Sequence, residues 1–182
     1  MSHPAGFTPV CTSELIEFAY LQEDFKKLNT QLIVVSTDGV NSNLEWISSM
    51  ESIAYNGKKT PQIKFPIVSD IGLEISRKYG MQHPDVSNTK NIRGVFVIDP
   101  DNKIRLLEFY PMNIGRNTNE VLRALTALQE SDKNNVLTPA NWTTGKDFLL
   151  PALANKDEFE KMKEKKKENK YYLAWYMWFR KN

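Results

Sequence analysis

One cysteine, Cys11, and two histidines, His3 and His83, are all that the 182 residues offer of those two types. A single cysteine excludes a disulfide within the chain and any cysteine-rich metal site, and it fits a reducing compartment, so a cytoplasmic location is expected. No second histidine or cysteine stands at ligand spacing from His83, so His83-Pro84-Asp85 reads as a loop with a solvent-exposed histidine. No apolar run reaches the length that crosses a bilayer, and residues 1–10 lack a charged-then-apolar signal pattern. Charge of one sign is not in excess: 24 Lys and Arg against 22 Asp and Glu leave +2, no footprint for nucleic acid or an acidic membrane over the globular part. No internal repeat is visible. A hydrophobic content of 41% is enough for one sizeable core, most simply one domain with an appendage.

The chemistry concentrates in His3-Pro4-Ala5-Gly6-Phe7-Thr8-Pro9-Val10-Cys11-Thr12-Ser13-Glu14. Thr8 is placed to cap a helix with its side-chain oxygen, Pro9 suits a first helical position where no backbone donor is needed, and Glu14 falls in the opening turns. Cys11 then sits in the first turn, where unpaired backbone N–H groups favour a thiolate, the nucleophilic form. A lone cysteine is by base rate a small buried hydrophobe. Its neighbours point elsewhere, because Pro4, Thr8 and Cys11 make the pattern Pro-x-x-x-Thr-x-x-Cys.

That pattern resembles the active-site loop of the peroxiredoxins, thiol-dependent peroxidases of thioredoxin-like fold. The fuller string His-Pro-x-x-Phe-Thr-Pro-Val-Cys-Thr-x-Glu is similar to the one-cysteine (peroxiredoxin-six-like) subgroup. Phe65-Pro66-Ile67, Arg93 to Asp101, Tyr110-Pro111, Gly115-Arg116-Asn117, and Thr138-Pro139 followed by Trp142 extend the resemblance, which is expected to fade after about residue 151. The resemblance implies an α/β, thioredoxin-like fold with a mixed central sheet flanked by helices. It implies a peroxidase domain over 1–132 and a small C-terminal extension over 133–182. It also implies that the apolar strand leading into the Cys11 loop would lie before Met1, so that the chain is a fragment of a longer protein.

By the same resemblance Cys11 is the attacking sulfur, Thr8 hydrogen-bonds the peroxide and Pro4 shields the pocket from water. Arg93, which follows a polar loop and enters an apolar strand, matches the catalytic arginine that contacts thiolate and peroxide. Glu14 and Arg116 form a supporting charge network, and His3 matches a histidine of the one-cysteine subgroup. The implied reaction reduces hydrogen peroxide and organic hydroperoxides through a cysteine sulfenic acid, in antioxidant defence and redox homeostasis. It uses no prosthetic cofactor. With no resolving cysteine, an external thiol, glutathione or a protein thiol, must complete the cycle. A homodimer is implied as well. The competing class is a non-catalytic thioredoxin-like domain for redox sensing or interaction.

Periodicity predicts a helix over 12–28, with Leu15, Phe18, Ala19, Phe25 and Leu28 on its apolar face, and a buried parallel strand over 31–37. A helix over 41–51 follows, with Trp46 as packing. Residues 56–64 read as polar turn and 65–70 as a short strand that Pro66 confines to an edge or entry position. A helix over 71–79 is closed by Gly80. Apolar runs at 92–98 and 103–110 around Asp99-Pro100-Asp101-Asn102 give an antiparallel hairpin, and 117–129 a further helix. Residues 156–170 read as a solvated Lys/Glu helix. The aromatic end, Tyr171 to Phe179, is too large an apolar patch to stay in water, so it docks on this subunit, a partner or a membrane interface, unless the terminus is mispredicted.

Overall fold

The computed structural model describes residues 1–165 and 168–182. The chain divides into two compact units, Met1–Asn119 and Glu120–Asn182. The first begins with α1 (Pro9–Lys27), whose inner face buries Leu15, Ile16, Phe18, Ala19 and Phe25, the spacing read from the sequence. Next comes β1 (Val34–Ser36), buried at every position, as a two-sided strand of β-branched residues requires. α2 (Val40–Ser52) buries Trp46 and Met50, and β4 (Ile67–Ser69) pairs in parallel with β1. Pro66 lies just before β4, where its missing N–H costs no ladder bond and its carbonyl accepts from the Val34 N–H at 3.0 Å.

Between α2 and β4 the turn-rich stretch holds a small hairpin, β2 (Ala54–Tyr55) with β3 (Lys58–Lys59). Asn56 and Gly57, both at positive φ, make its two-residue turn, which is the Asn-Gly signal that a reading as plain loop overlooks. The helix expected over 71–79 is only α3 (Glu74–Lys78). Leu73 is left-handed at φ 60°, and the Asp70 carboxylate accepts from the N–H groups of Ile75 and Ser76, so the helix starts late; Gly80 closes it at φ 63°. β5 (Arg93–Ile98) and β6 (Ile104–Tyr110) form the expected antiparallel hairpin. His83 is half-buried rather than exposed, its ring edge-on to Phe109 of β6 at 5.4 Å.

The first two residues bond to strands on both sides. Ser2 forms a parallel bridge with Val35, and the Val35 N–H donates to the Met1 carbonyl at 2.8 Å. On the other side the Ser2 N–H donates to the Gly94 carbonyl at 2.9 Å, and the Gly94 N–H to Ser2 Oγ at 2.9 Å. Met1 and Ser2 therefore link the parallel β1–β4 pair to the antiparallel β5–β6 pair, which gives the mixed arrangement expected from the sequence. Each bridge satisfies a buried donor whose loss would cost about 1–3 kcal/mol.

α4 (Thr118–Asn134) runs five residues past the predicted Gln129 end, and the second unit holds all of it from Glu120 onward. Ala127, Val136, Trp142 and Phe148 make that unit's core. β7 (Phe148–Leu149), α5 (Lys156–Glu164), β8 (Lys170–Ala174) and β9 (Met177–Arg180) complete it, with strand order β7-β9-β8. The aromatic end is thus a hairpin on its own subunit. Tyr171 stacks on Phe179 at 4.9 Å, Tyr172 packs on Trp178 at 4.8 Å, and Phe159 of α5 lies edge-on to both Tyr172 and Trp178. Cross-strand aromatic pairs at this spacing each add a few tenths to about 1 kcal/mol. Leu173, Trp175 and Tyr176 at the turn stay exposed.

Candidate active site

Cys11 lies in the first turn of α1 and is fully buried. Thr8 is the N-cap by position and Pro9 the first helical residue, as the sequence indicates. The Thr8 hydroxyl does not cap, however: it donates to the Ala5 carbonyl at 2.9 Å. The preceding residue explains this. Phe7 is left-handed at φ 54°, which folds the loop back so that Ala5 O, rather than a helical N–H, meets the side chain. With its proton committed to Ala5, the Thr8 oxygen retains its acceptor lone pairs. Pro4 is buried in the same loop.

From β5, Arg93 brings Nη1 to 3.3 Å from Cys11 Sγ and to 2.8 Å from Glu14 Oε2. Its Nε and Nη2 both donate to the Met112 carbonyl, at 3.0 and 2.6 Å, which fixes the guanidinium plane. Arg116 grips Glu14 from the other side, Nε to Oε1 at 2.9 Å and Nη2 to Oε2 at 2.8 Å, and its backbone N–H adds a third bond to Oε1. Arg116 Nη1 donates to the carbonyls of Ser2 and Gly94, both at 3.0 Å. All three charged side chains are at most 3% exposed, so an unpaired member would be costly, and the carbonyls take up donors that Glu14 cannot.

Two guanidinium groups against one carboxylate leave one positive charge over, and Arg93 delivers it at the sulfur. Together with the backbone N–H groups of the α1 N-terminus, it stabilises negative charge on Sγ and on any oxygen that leaves beside it. The structure thus brings together four of the residues singled out in the sequence, Cys11, Glu14, Arg93 and Arg116, in one bonded network. The Met112, Ser2 and Gly94 carbonyls belong to it too, and no side-chain pattern announces a main-chain acceptor.

His3 is fully buried beside this network, its ring 4.9 Å from that of Trp46. Neither ring nitrogen makes a hydrogen bond of normal geometry among the described residues. Burial lowers its pKa from 6.5 to about 4, with a partial offset from the Ala5 backbone. His3 is therefore neutral at pH 7, in the folded and largely in the unfolded chain. As pH falls below 6.5 the unfolded chain takes up a proton that the folded one refuses until pH about 4, so folding stability declines across that window. The loss is on the order of 3 kcal/mol. Urea unfolding at pH 7 and pH 4.5 of the wild type and of His3→Leu should show the variant spared most of that decline; equal declines would show that His3 carries no such linkage.

A buried sulfur at a helix tip, faced at 3.3 Å by a guanidinium from a strand, within a thioredoxin-like α/β frame, is the arrangement of a thiol peroxidase. Comparison with known proteins gives the family. Residues 1–107 match the AhpC/TSA family, and residues 127–166 match the C-terminal domain of 1-Cys peroxiredoxin. A peroxiredoxin of Methanosarcina mazei is 42% identical over 182 residues, the whole of this chain and 83% of that one. The mitochondrial peroxiredoxin PRX1 of Saccharomyces cerevisiae is 42% identical over 163 residues, covering 86% of this chain and 61% of its own. Among solved structures, a yeast mitochondrial 1-Cys peroxiredoxin, studied for thiol resolution through the glutathione and thioredoxin systems, superposes with TM-score 0.82 at 40% identity, over all of this chain and 84% of that one. Peroxiredoxin 6 of Arenicola marina, as a cysteine-to-serine mutant, gives 0.83 at 32% identity with the same coverage. The chain belongs to the peroxiredoxin family and is a thiol-dependent peroxidase, an oxidoreductase. The similarity does not fade at residue 151: it runs through the aromatic hairpin to the end of the chain.

Proposed function

We propose that Cys11, Arg93, Thr8 and Pro4 carry peroxide reduction, with Glu14 and Arg116 holding Arg93 in place and His3 packing behind the loop. The observation that carries this is the 3.3 Å approach of Arg93 Nη1 to Cys11 Sγ. The Cys11 thiolate attacks one peroxide oxygen; the S–O bond forms as the O–O bond breaks, and the leaving oxygen takes up a proton as water or an alcohol. Sulfur is oxidised by two electrons to a sulfenic acid, and the peroxide, hydrogen peroxide or an organic hydroperoxide, is reduced. Arg93 donates to the oxygens as charge grows on them, the Thr8 oxygen accepts from the peroxide O–H, and Pro4 keeps water from the sulfur.

The reductant is an external thiol, glutathione or thioredoxin. Supporting this are the single cysteine of the chain and the yeast relative's resolution through those two systems. The enzyme works as a cytoplasmic homodimer, a reading supported by the family resemblance for the dimer and by cysteine usage for the compartment. Peroxide consumption by the purified chain should proceed for one turnover without thiol and continuously with it, and a sulfenic-acid trap should label Cys11 after the first turnover. Sustained consumption with no thiol present would overturn the one-cysteine cycle. Light scattering at working concentration should give twice the chain mass.

A further inference from the structure

The half-buried Asp38, just past the end of β1, touches no reacting atom but holds the loop that carries Thr8 and Cys11. Its Oδ2 accepts from the Gly6 N–H at 2.6 Å and from Ser36 Oγ at 3.2 Å, and its own N–H donates to Ser36 Oγ at 3.1 Å. A carboxylate accepting a backbone N–H at that distance makes a charge-assisted bond, stronger than a neutral one. The position of Gly6 is shaped for it. A Cβ there would meet Asp38 Oδ2 at 3.2 Å and Trp46 Cε3 at 3.4 Å, so glycine is what lets the carboxylate and the indole approach the loop. The next residue, Phe7, is left-handed although it is not glycine, a conformation of a kind that persists only where the surroundings enforce it.

The same segment also holds the far side of the cysteine. Trp46 of α2 is 1% exposed and donates from Nε1 to Thr12 Oγ1, one residue beyond Cys11, at 3.1 Å. The first turn of α2 is tied back by the bond from Asn43 Nδ2 to the Asp38 carbonyl at 3.3 Å. The end of β1 and the start of α2 thus grip the loop at Gly6 and the helix at Thr12, on either side of the sulfur.

We propose that Asp38 is a positioning residue for peroxide reduction, acting through Gly6 and Phe7 to fix Thr8 opposite Arg93. This rests on the site reading above. Without Asp38, the Gly6 N–H loses its acceptor, Phe7 is free to leave the left-handed region, and the Thr8 oxygen moves from the peroxide position while Arg93 and Cys11 stay bonded. The consequence is a selective defect: reactions needing only the thiolate continue, and the reaction needing the aligned loop slows.

Two rates measured on the full chain test this. One is the stopped-flow rate constant of Cys11 with hydrogen peroxide; the other is its alkylation rate with iodoacetamide, which requires the thiolate and access to it but no alignment of peroxide oxygens. For Asp38→Ala the peroxide rate should fall about ten- to a hundredfold, the scale that a misplacement of about 1 Å costs, with alkylation nearly unchanged. Asp38→Asn keeps an acceptor oxygen and should restore most of the peroxide rate, while Gly6→Ala should reproduce the split from the other partner. Equal falls in both rates, or an unchanged peroxide rate in folded Asp38→Ala, would overturn the proposal. If Asp38→Ala does not fold, Gly6→Ala decides, and the absence of a split there overturns it. Arg93→Ala in the same assay separates the two levels: a peroxide rate that survives Arg93→Ala removes the site reading itself, whereas a rate that falls there but not in Asp38→Ala removes Asp38 alone.

Discussion

Cys11→Ser should reduce peroxide consumption to the uncatalysed background, with or without added thiol. The chain holds no other sulfur that can be oxidised and reduced by thiols in this way, so nothing can take over the role. A serine hydroxyl at that position is almost wholly un-ionised at neutral pH and is a far weaker nucleophile toward an O–O bond, so the remaining Arg93 and helix-tip donors have no charge to work with. The fold should survive, because the hydroxyl is smaller than the thiol and keeps a donor partner in Arg93 Nη1. Peroxide loss followed beside circular dichroism checks both points, and a folded Cys11→Ser chain with appreciable turnover would dismiss Cys11 as the reacting group.

Arg93→Ala should slow the reaction by about a hundred- to a thousandfold, the cost of removing one donor to a developing oxyanion. Loss of ionisation cannot account for so much. An ordinary thiol with a pKa near 8.5 is about 3% thiolate at pH 7, so complete ionisation is worth at most about thirtyfold. A more acidic thiol is also a poorer nucleophile, which returns roughly tenfold of that gain if the slope for thiol exchange carries over to peroxides. The larger share of Arg93's effect therefore lies in the transition state. Glu14 stays paired with Arg116 through three bonds, so the variant should fold at reduced stability. Arg93→Lys separates the parts: it keeps a positive charge near sulfur but loses the fork on the Met112 carbonyl, and should recover thiolate formation more fully than peroxide rate. Thiol titration run beside stopped-flow kinetics reads both, and an Arg93→Ala peroxide rate no lower than its thiolate fraction predicts would remove Arg93 from the transition state.

Much of the frame is local information, and local information is what a sequence displays. The apolar spacing of α1, the buried composition of β1, and the turn tetrad between β5 and β6 each depend on residues within a few positions of one another. Periodicity starts α3 too early, because its first turn is set by the Asp70 side chain and the left-handed Leu73. The Thr8 hydroxyl departs from a capping role for a similar reason: a positive φ at Phe7, which nothing in a phenylalanine advertises, turns it toward Ala5. The sequence leaves open where the aromatic end docks, because its partners come from other segments: Phe148 of β7, Phe159 of α5, and Asp147, whose carboxylate accepts from the Tyr171 hydroxyl at 3.0 Å.

What the sequence by itself determined is the candidate sulfur and its local setting: one cysteine, in the first turn of a helix whose Thr8 and Pro9 stand just before it. What only the tertiary structure decided is which charge faces that sulfur. Cys11 and Arg93 are 82 positions apart, and Arg116 reaches Glu14 across 102. Such pairs form because burial makes an unpaired charge too costly to keep, and that penalty exists only once the core has closed around them. The hold of Asp38 on Gly6, 32 positions away, belongs to the same category: a polar residue after a strand is ordinary in a sequence and acquires its role only from the loop that the fold lays against it.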